Sequence, residues 1–205
     1  MHVVLVGPGR IGAWLRLRLE ACGHQIVELS RADYGDFLAP EYTPGASVDR
    51  LQSCDAVVLL AGRFELNADL EQMGQQNATG PIRVAEAIHT RFPKAQVIAF
   101  LDARIRWAER DVPVSIRSYL AAKRRLARWV LGAAYCWGEE AGTRVNAIAP
   151  GPVLAPPDPA HREKGGHCLT PRPTLEDIGR AVQFLLETPS VTGQVLYVAA
   201  GQQLL

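Results

Sequence analysis

The feature that most constrains the fold of this chain is the alternation of short apolar runs with longer segments of helical periodicity. The apolar runs are rich in valine, isoleucine and leucine and are bounded by glycine or polar residues, as in HVVLVG, DAVVLLAG, AQVIAFL and GQVLYVAAG. Several are apolar at consecutive positions, so both faces of these strands are expected to be buried. Strands of this kind separated by helices predict a doubly wound α/β domain, with a mostly parallel sheet and helices on both faces.

The segments between the strands have apolar residues at helical spacing. The first of them ends at Gly23, a common helix stop. The last begins at Thr174, and Asp177 three residues later gives a capping-box pattern. We therefore predict helices over about residues 10–23, 70–90, 115–142 and 173–187.

One domain is predicted over residues 1–205, because the chain has the length of a single domain and no linker divides it. Residues 154–173 form a polar stretch rich in proline and glycine. Loops of this length in compact domains are often lids or binding loops, so we expect this one to lie at a substrate site.

The charge balance and the apolar runs exclude several classes of partner. The 22 basic and 21 acidic residues nearly cancel, which gives no support for a nucleic-acid surface. No apolar run approaches the length needed to span a bilayer, and the N-terminal run leads directly into a glycine loop, as a first strand does and a signal peptide does not. We expect a small-molecule substrate and neither a nucleic-acid nor a membrane partner.

The cysteine pattern favours a reducing compartment. The 4 cysteines are widely separated and form no CxxC pair, so reduced thiols and a cytoplasmic location are expected. His161, His167 and Cys168 lie in the proline- and glycine-rich stretch, but their spacing matches no usual zinc pattern. No metal site is predicted.

A glycine-rich loop follows the first predicted strand. Gly7, Gly9 and Gly12 have GxGxxG spacing, and the loop opens a predicted helix, which is the context that gives this short motif its meaning. Glycines allow the backbone to approach a pyrophosphate, which then lies on the helix N-terminus. The loop predicts an NAD(P)-binding domain of the Rossmann type, with Ile11 as a further contact.

The end of the second predicted strand indicates which dinucleotide is used. An acidic residue there usually binds the free ribose 2′-hydroxyl of NAD, whereas this chain has Ser30 and Arg31. A hydroxyl beside a guanidinium suits a 2′-phosphate, so we predict NADP(H). Glu28 comes one residue early, and strand alternation turns it away. The alternative for Arg31 is a solvated charge in a loop.

Tyr119 and Lys123 lie one helical turn apart in SYLAAK, on the same face of a predicted helix. With them the sequence resembles the short-chain dehydrogenase/reductase family over nearly the whole chain. The matching segments, in chain order, are the glycine loop, LLAG, QQNATGPIRVAEA with Asn77, SYLAAK, VNAIAPGPV and VTGQVLYVAAGQ.

The resemblance implies a role for each matching residue. Tyr119 would protonate the substrate as hydride arrives at the neighbouring carbon. Lys123 would stabilise the phenolate, whose reference pKa of about 10 is too high for transfer at neutral pH, and would hold the nicotinamide ribose. Asn77 would hold a water that links the lysine to solvent. Further cofactor contacts are implied at Ala61, Gly62, Pro150, Gly151 and Val153, and a homo-oligomer (a dimer or tetramer) is implied by analogy.

The sequence departs from the family pattern in two places. The glycine loop is one residue shorter, and no residue among Asp33, Asp36 and Asp49 can be assigned to the adenine. Asp102 stands where the family has a catalytic serine, after the strand AQVIAFL. An ionised carboxylate only accepts hydrogen bonds, so it suits a substrate that presents N–H groups.

Pteridine reductases, one branch of this family, have an aspartate in a similar position. Their glycine loop contains RRIG, similar to GRIG here, which would make Arg10 a pyrophosphate or substrate contact. Two alternatives remain for Asp102. Either Asp102 lies in the site but serves a different substrate, or it caps the following turn while Ser115 or Ser118 replaces the hydroxyl of the family's catalytic serine.

We therefore predict an NADPH-dependent reductase that acts on a pterin-like ring, with Tyr119 as proton donor and Lys123, Asn77 and Asp102 beside it. The alternative within the family is a carbonyl reductase for an unidentified ketone. The alternative from another class is a non-catalytic NADP(H)-binding sensor, against which the intact catalytic residues argue.

Overall fold

A single sheet organises the molecule. The computed structural model describes residues 1–38, 43–154 and 167–205. Within them the strands form one parallel sheet of 6 strands in the order β2-β1-β3-β4-β5-β6. The strands are β1 (His2–Val6), β2 (Gln25–Leu29), β3 (Ala56–Leu59), β4 (Gln96–Phe100), β5 (Val145–Pro150) and β6 (Val195–Val198). This arrangement confirms the predicted fold class.

Helices connect the strands. They are α1 (Gly9–Ala21), α2 (Arg31–Tyr34), α3 (Gly45–Asp49), α4 (Leu70–Gly74), α5 (Gly80–Arg91), α6 (Arg117–Ala141) and α7 (Leu175–Glu187). Short 3₁₀ turns cover Ala103–Arg106, Glu109–Asp111, Val114–Ile116 and Gln202–Leu204. The predicted capping box of α7 is present: Thr174 N donates to Asp177 Oδ2 (2.8 Å), and Asp177 N donates to Thr174 Oγ1 (3.2 Å).

The core has two layers because successive side chains of each strand point to opposite faces of the sheet. One layer contains Val4 and Val57 with apolar residues of α5 and α6, and the other contains Leu5 and Val58 with those of α1 and α7. Helices therefore cover both faces, as the apolar strands predicted. None of the described helices is long and apolar enough to cross a membrane.

The predicted helix over residues 70–90 contains a π turn. Residues Gln75–Thr79 continue directly from α4 and lead directly into α5, so the helical path is unbroken but locally wider. At its end, a Cβ on Gly80 would lie 2.2 Å from the ring of Phe37, which follows α2. Only a glycine allows this ring to pack there.

The carboxyl ends of the strands lie together at one edge of the sheet. Open α/β sheets bind their ligands at this edge, between the connecting loops. Of the predicted substrate loop, residues 154 and 167–173 are described, whereas 155–166, including His161, lie outside the described residues. The described part of the chain contains no group of three or more His, Cys, Asp or Glu that could hold a metal.

Candidate active site

The glycine loop packs tightly against the end of β3. Gly7 has φ +65°, and a Cβ there would lie 2.7 Å from the Cα of Ala61. A Cβ on Gly12, inside α1, would lie 2.4 Å from the Cβ of Pro8. Gly9 also has a positive φ (+49°), but a Cβ on it would have nothing within 4 Å. The loop therefore has no room for side chains at Gly7 and Gly12, where it packs on the protein, but has free space beside Gly9.

A cavity of about 530 Å³ opens beside this loop, within the usual size range of ligand pockets. It brings together many of the predicted site residues: Gly9, Arg10, Ile11, Gly62, Asn77, Asp102, Tyr119, Lys123, Pro150 and Gly151. Gly7, Gly12, Ala61 and Val153 do not line it. Gly7, Gly12 and Ala61 instead shape the backbone around it, and Val153 packs against the core layer that contains Leu5.

Lys123 is buried at the floor of the cavity. Its Nζ donates to the carbonyl oxygen of Phe100 (2.9 Å) and lies 5.9 Å from the centroid of the Tyr119 ring. Burial lowers the pKa of the Lys123 ammonium from its ordinary 10.5 to about 8, and the charge of Asp102 acts in the opposite direction. The spacing of one helical turn on α6 therefore produces the expected pair, with the cation beneath the phenol ring.

Asn77 is fully buried on the π turn and binds the backbone of Arg63. Its Oδ1 accepts from Arg63 N (3.1 Å), and its Nδ2 donates to Arg63 O (2.9 Å). Its Oδ1 would lie 2.7 Å from a Cβ on Gly62, and Lys123 Nζ would lie 3.3 Å from the same Cβ. The amide thus fixes the loop after β3 above the lysine. A role in holding water stays a prediction.

Asp102 lines the cavity and also begins the next turn. Its Oδ1 accepts from Arg104 N (2.9 Å) and Arg104 Nε (2.9 Å), and its Oδ2 accepts from Arg104 Nη2 (2.8 Å). Both side chains are nearly buried, at 12% and 11% exposure. Asp102 therefore caps the turn and lines the cavity at the same time, so the two alternatives do not exclude each other. The sequence reasoning missed that a guanidinium compensates its charge.

The alternative hydroxyl at Ser118 is engaged elsewhere. Ser118 Oγ donates to the carbonyl oxygen of Ala68 (2.7 Å), which ties α6 to the loop before α4. Ser115 contributes its carbonyl oxygen to the same loop, accepting from Asn67 N (2.8 Å). Neither serine lines the cavity in the described residues.

Phe64 is a cavity residue that the sequence reasoning missed. Its ring meets the Tyr119 ring edge to face, with 5.0 Å between centroids, and the guanidinium carbon of Arg104 lies 5.7 Å from its centroid. The ring is 51% exposed although it lies in the cavity wall. The sequence signal that could have indicated it is an aromatic residue two positions after the LLAG segment, which ends at Gly62.

The turn that carries Arg104 is held from two sides. Arg124 of α6 donates from Nε to the carbonyl oxygen of Ile105 (2.9 Å), and Trp107 Nε1 donates to that of Gln202 (2.9 Å). Gln202 is buried and lines the cavity as well. Arg124, which belongs to the basic segment of α6 that begins at Lys123, thus supplies a structural contact to the site.

Ser30 and Arg31 lie after β2, outside the set of residues that line the cavity. Ser30 N and Oγ both donate to Asp33 Oδ2 (2.8 and 2.7 Å), and Arg31 pairs with Asp36 (2.9 Å). Each group that would bind a 2′-phosphate therefore has a carboxylate beside it. Binding of that phosphate here stays a prediction.

The chain matches a known protein-family model. Residues 46–203 match a family model described as enoyl-(acyl carrier protein) reductase. The search of curated proteins finds no match.

Solved structures with the same fold are numerous, and three illustrate the range. The 3-alpha-hydroxysteroid dehydrogenase of Pseudomonas sp. B-0831, solved with NADH, has a TM-score of 0.81 and 19% identity over 98% of this chain and 96% of that one. FolM alternative dihydrofolate reductase 1 of Brucella canis, solved with NADP, has a TM-score of 0.77 and 23% identity over 100% and 94%. A variant of a Serratia marcescens short-chain dehydrogenase/reductase has a TM-score of 0.78 and 19% identity over 98% and 97%. At these identities the likeness shows the fold.

Proposed function

Because the chain belongs to the short-chain dehydrogenase/reductase family, through the enoyl-(acyl carrier protein) reductase model that covers most of it, we propose that it is an NADPH-dependent reductase of a pterin-like ring. The observation that carries this proposal is that Asp102 and the Phe64 ring line the same cavity as Tyr119 and Lys123.

The residues present fit a nicotinamide dinucleotide. The glycine loop leaves no room for side chains at Gly7 and Gly12 and leads into the N-terminus of α1, an arrangement that suits a pyrophosphate. Gly9, Arg10 and Ile11 would contact that pyrophosphate, Lys123 the nicotinamide ribose, and Ser30 with Arg31 the 2′-phosphate. When bound, the cofactor supplies the hydride.

Tyr119 is the proposed proton donor. A phenol gives up its proton more readily when a cation stabilises the phenolate, and the Lys123 ammonium lies beneath its ring. Asn77 positions this pair through the loop after β3, because it fixes the Arg63 backbone beside Gly62.

The substrate class follows from Asp102 and Phe64. A flat heteroaromatic ring can stack against the exposed ring of Phe64, and its N–H groups can donate to the carboxylate of Asp102. The Arg104 contacts occupy three of roughly four acceptor positions on that carboxylate, so it can receive one further donor. FolM, the fold neighbour described as a dihydrofolate reductase and solved with NADP, supports this class of substrate.

A panel of dihydropterins and ketones tests the proposal through NADPH oxidation. We expect turnover with dihydropterins, and Tyr119→Phe should lower it by about 10²–10⁴-fold while NADPH binding stays intact. Turnover of the Phe variant at the wild-type rate would remove Tyr119 from the mechanism.

Asp102→Ser tests the substrate class more sharply. It should reduce dihydropterin turnover, because the acceptor for the ring N–H is lost, and it should leave ketone turnover equal or improved. Unchanged dihydropterin turnover would contradict the pterin assignment.

A carbonyl substrate is the second candidate, and the Asp102–Arg104 pair favours it. A free carboxylate would repel a developing alkoxide, whereas a carboxylate paired with a guanidinium repels it less. Ketone turnover that exceeds dihydropterin turnover in the panel would select this candidate.

A further inference from the structure

The charges around the cavity are unequal. Among the described lining residues, the cations are Arg10, Arg63, Arg104 and Lys123, and Asp102 is the carboxylate. Arg104 is paired with Asp102. In the proposed function Arg10 and Lys123 contact the cofactor. Arg63 therefore adds a positive charge to the cavity wall that neither the proposed cofactor contacts nor the pair with Asp102 uses.

Arg63 has a fixed backbone and a partly exposed side chain. Asn77 binds both its N–H and its carbonyl oxygen, so the base of the side chain is held above the cavity. The side chain is 56% exposed and pairs with Glu65 (Nε to Oε2, 3.1 Å). In the sequence Arg63 stands between Gly62, which adjoins Lys123, and Phe64, whose ring packs against that of Tyr119.

We propose that the substrate carries an anionic substituent, of the carboxylate type, beside its flat ring, and that Arg63 binds this group. The inference rests on the proposed function and names the substituent that its substrate bears. A guanidinium matches a carboxylate in geometry, and its two parallel N–H groups can hold both oxygens.

Glu65 competes with such a substrate. Its Oε2 lies 3.1 Å from Arg63 Nε, so its charge offsets part of the attraction that the guanidinium offers to an anionic group. Removing the charge of Glu65 should therefore strengthen binding of an anionic substrate, whereas removing the charge of Arg63 should weaken it. Opposite effects from adjacent side chains are not expected from a general loss of structure.

The test compares two dihydropterins that differ in the charge of the side chain. Dihydrofolate ends in carboxylates, and dihydrobiopterin ends in an uncharged diol. For Arg63→Gln, the ratio of kcat/KM for dihydrofolate to that for dihydrobiopterin should fall by about fivefold, as for a partly exposed ion pair. For Glu65→Gln the same ratio should rise. Arg110→Gln, at an exposed arginine outside the cavity, is the matched control and should leave the ratio unchanged.

The outcomes separate this inference from the function on which it rests. If both dihydropterins are turned over and Arg63→Gln leaves the ratio unchanged, the inference is wrong while the function stands. If neither is turned over, the proposed function is wrong, and titration calorimetry of the NADP-loaded protein with folate and with biopterin still decides the inference. A ratio of Kd values that is equal in wild type and Arg63→Gln overturns it, and a preference for folate that the variant loses supports it.

Discussion

The two ends of the sheet each hold a cation against backbone carbonyl groups, but they use it differently. At the amino end of β5, Arg144 donates to the carbonyl oxygens of Leu185, Leu186 and Thr188, at 2.6, 3.0 and 3.0 Å. Near the carboxyl end of β4, Lys123 donates to the carbonyl oxygen of Phe100. Burial lowers the pKa of both groups.

The difference lies in how much hydrogen-bonding capacity each cation retains. Arg144 closes the end of α7, where the last carbonyl groups of a helix lack partners within the helix. The Lys123 ammonium has three N–H groups, and in the described residues one acceptor is found for it. A cation that donates to several backbone carbonyl groups serves stability, whereas one that is buried and has a single acceptor can bind a ligand.

The largest expected effect is that of Lys123→Met on turnover. Without the ammonium the Tyr119 phenolate is not stabilised, so NADPH oxidation should fall by about a thousandfold. The free energy of unfolding should not fall, because the variant replaces a buried charge by an apolar side chain. Lys94→Met, the same change at an exposed lysine near the other end of the sheet, is the control. If Lys123→Met loses stability but keeps its turnover, Lys123 has a structural role and the contrast with Arg144 is wrong.

Arg144→Met should have the opposite outcome. It removes the donors to the carbonyl oxygens at the end of α7, although Leu186 O keeps Gln96 Nε2 and Thr188 O keeps Val191 N. Urea unfolding should therefore show a loss of about 1–3 kcal/mol in the free energy of unfolding. Turnover of the folded fraction should remain near that of the wild type. Arg180→Met removes an exposed ion pair with Glu176 from the same helix and should cost less than about 1 kcal/mol. Equal losses in both variants would contradict a special role for Arg144.

The smallest effects concern pH. The pKa of Lys123 is lowered from 10.5 to about 8, so turnover that needs the ammonium should decline as pH rises through about 8. Asp102→Asn removes the charge that opposes this lowering of the Lys123 pKa and should move the decline to lower pH. A pH–rate profile of both proteins measures the shift, and an unmoved profile would show that Asp102 does not act on Lys123.

The free energy of unfolding depends on the same titration of Lys123, but it should rise with pH where turnover declines. The folded protein binds fewer protons than the unfolded chain between about pH 8 and 10.5, so burial of Lys123 destabilises the fold below about pH 8. This cost disappears as pH rises to 10.5. The difference in unfolding free energy between wild type and Lys123→Met should therefore narrow over that range.

The fold was predictable because its signals are local and repeated. The apolar strands, the helix that begins at Thr174 and the glycine loop each carry their own periodicity or turn chemistry, and the structure has all of them. The meeting of Tyr119 and Lys123 was equally predictable, since one helical turn determines it.

The surroundings of Asp102 were less predictable for a physical reason. Arg104 reaches it through a short 3₁₀ turn, and that turn is held by Arg124 from a helix about twenty residues further along the chain. The position of Phe64 likewise depends on Asn77, which fixes the backbone of the preceding residue. Side chains on irregular segments are positioned by distant contacts, and no short sequence pattern records these.

The π turn at Gln75–Thr79 makes this helix sensitive to its residue count. Upstream, Met73 packs in the core, and downstream Gly80 fits under Phe37. Each residue of an α-helix turns the chain by about 100°, and a π turn holds about one residue more than an α turn, so the same residues in ordinary α geometry would rotate one half of the helix against the other. Either Asn77 would leave the Arg63 backbone or Gly80 would leave Phe37. Sequences that lack one residue of this turn should therefore keep Gly80 under Phe37 and lose the widened turn that carries Asn77.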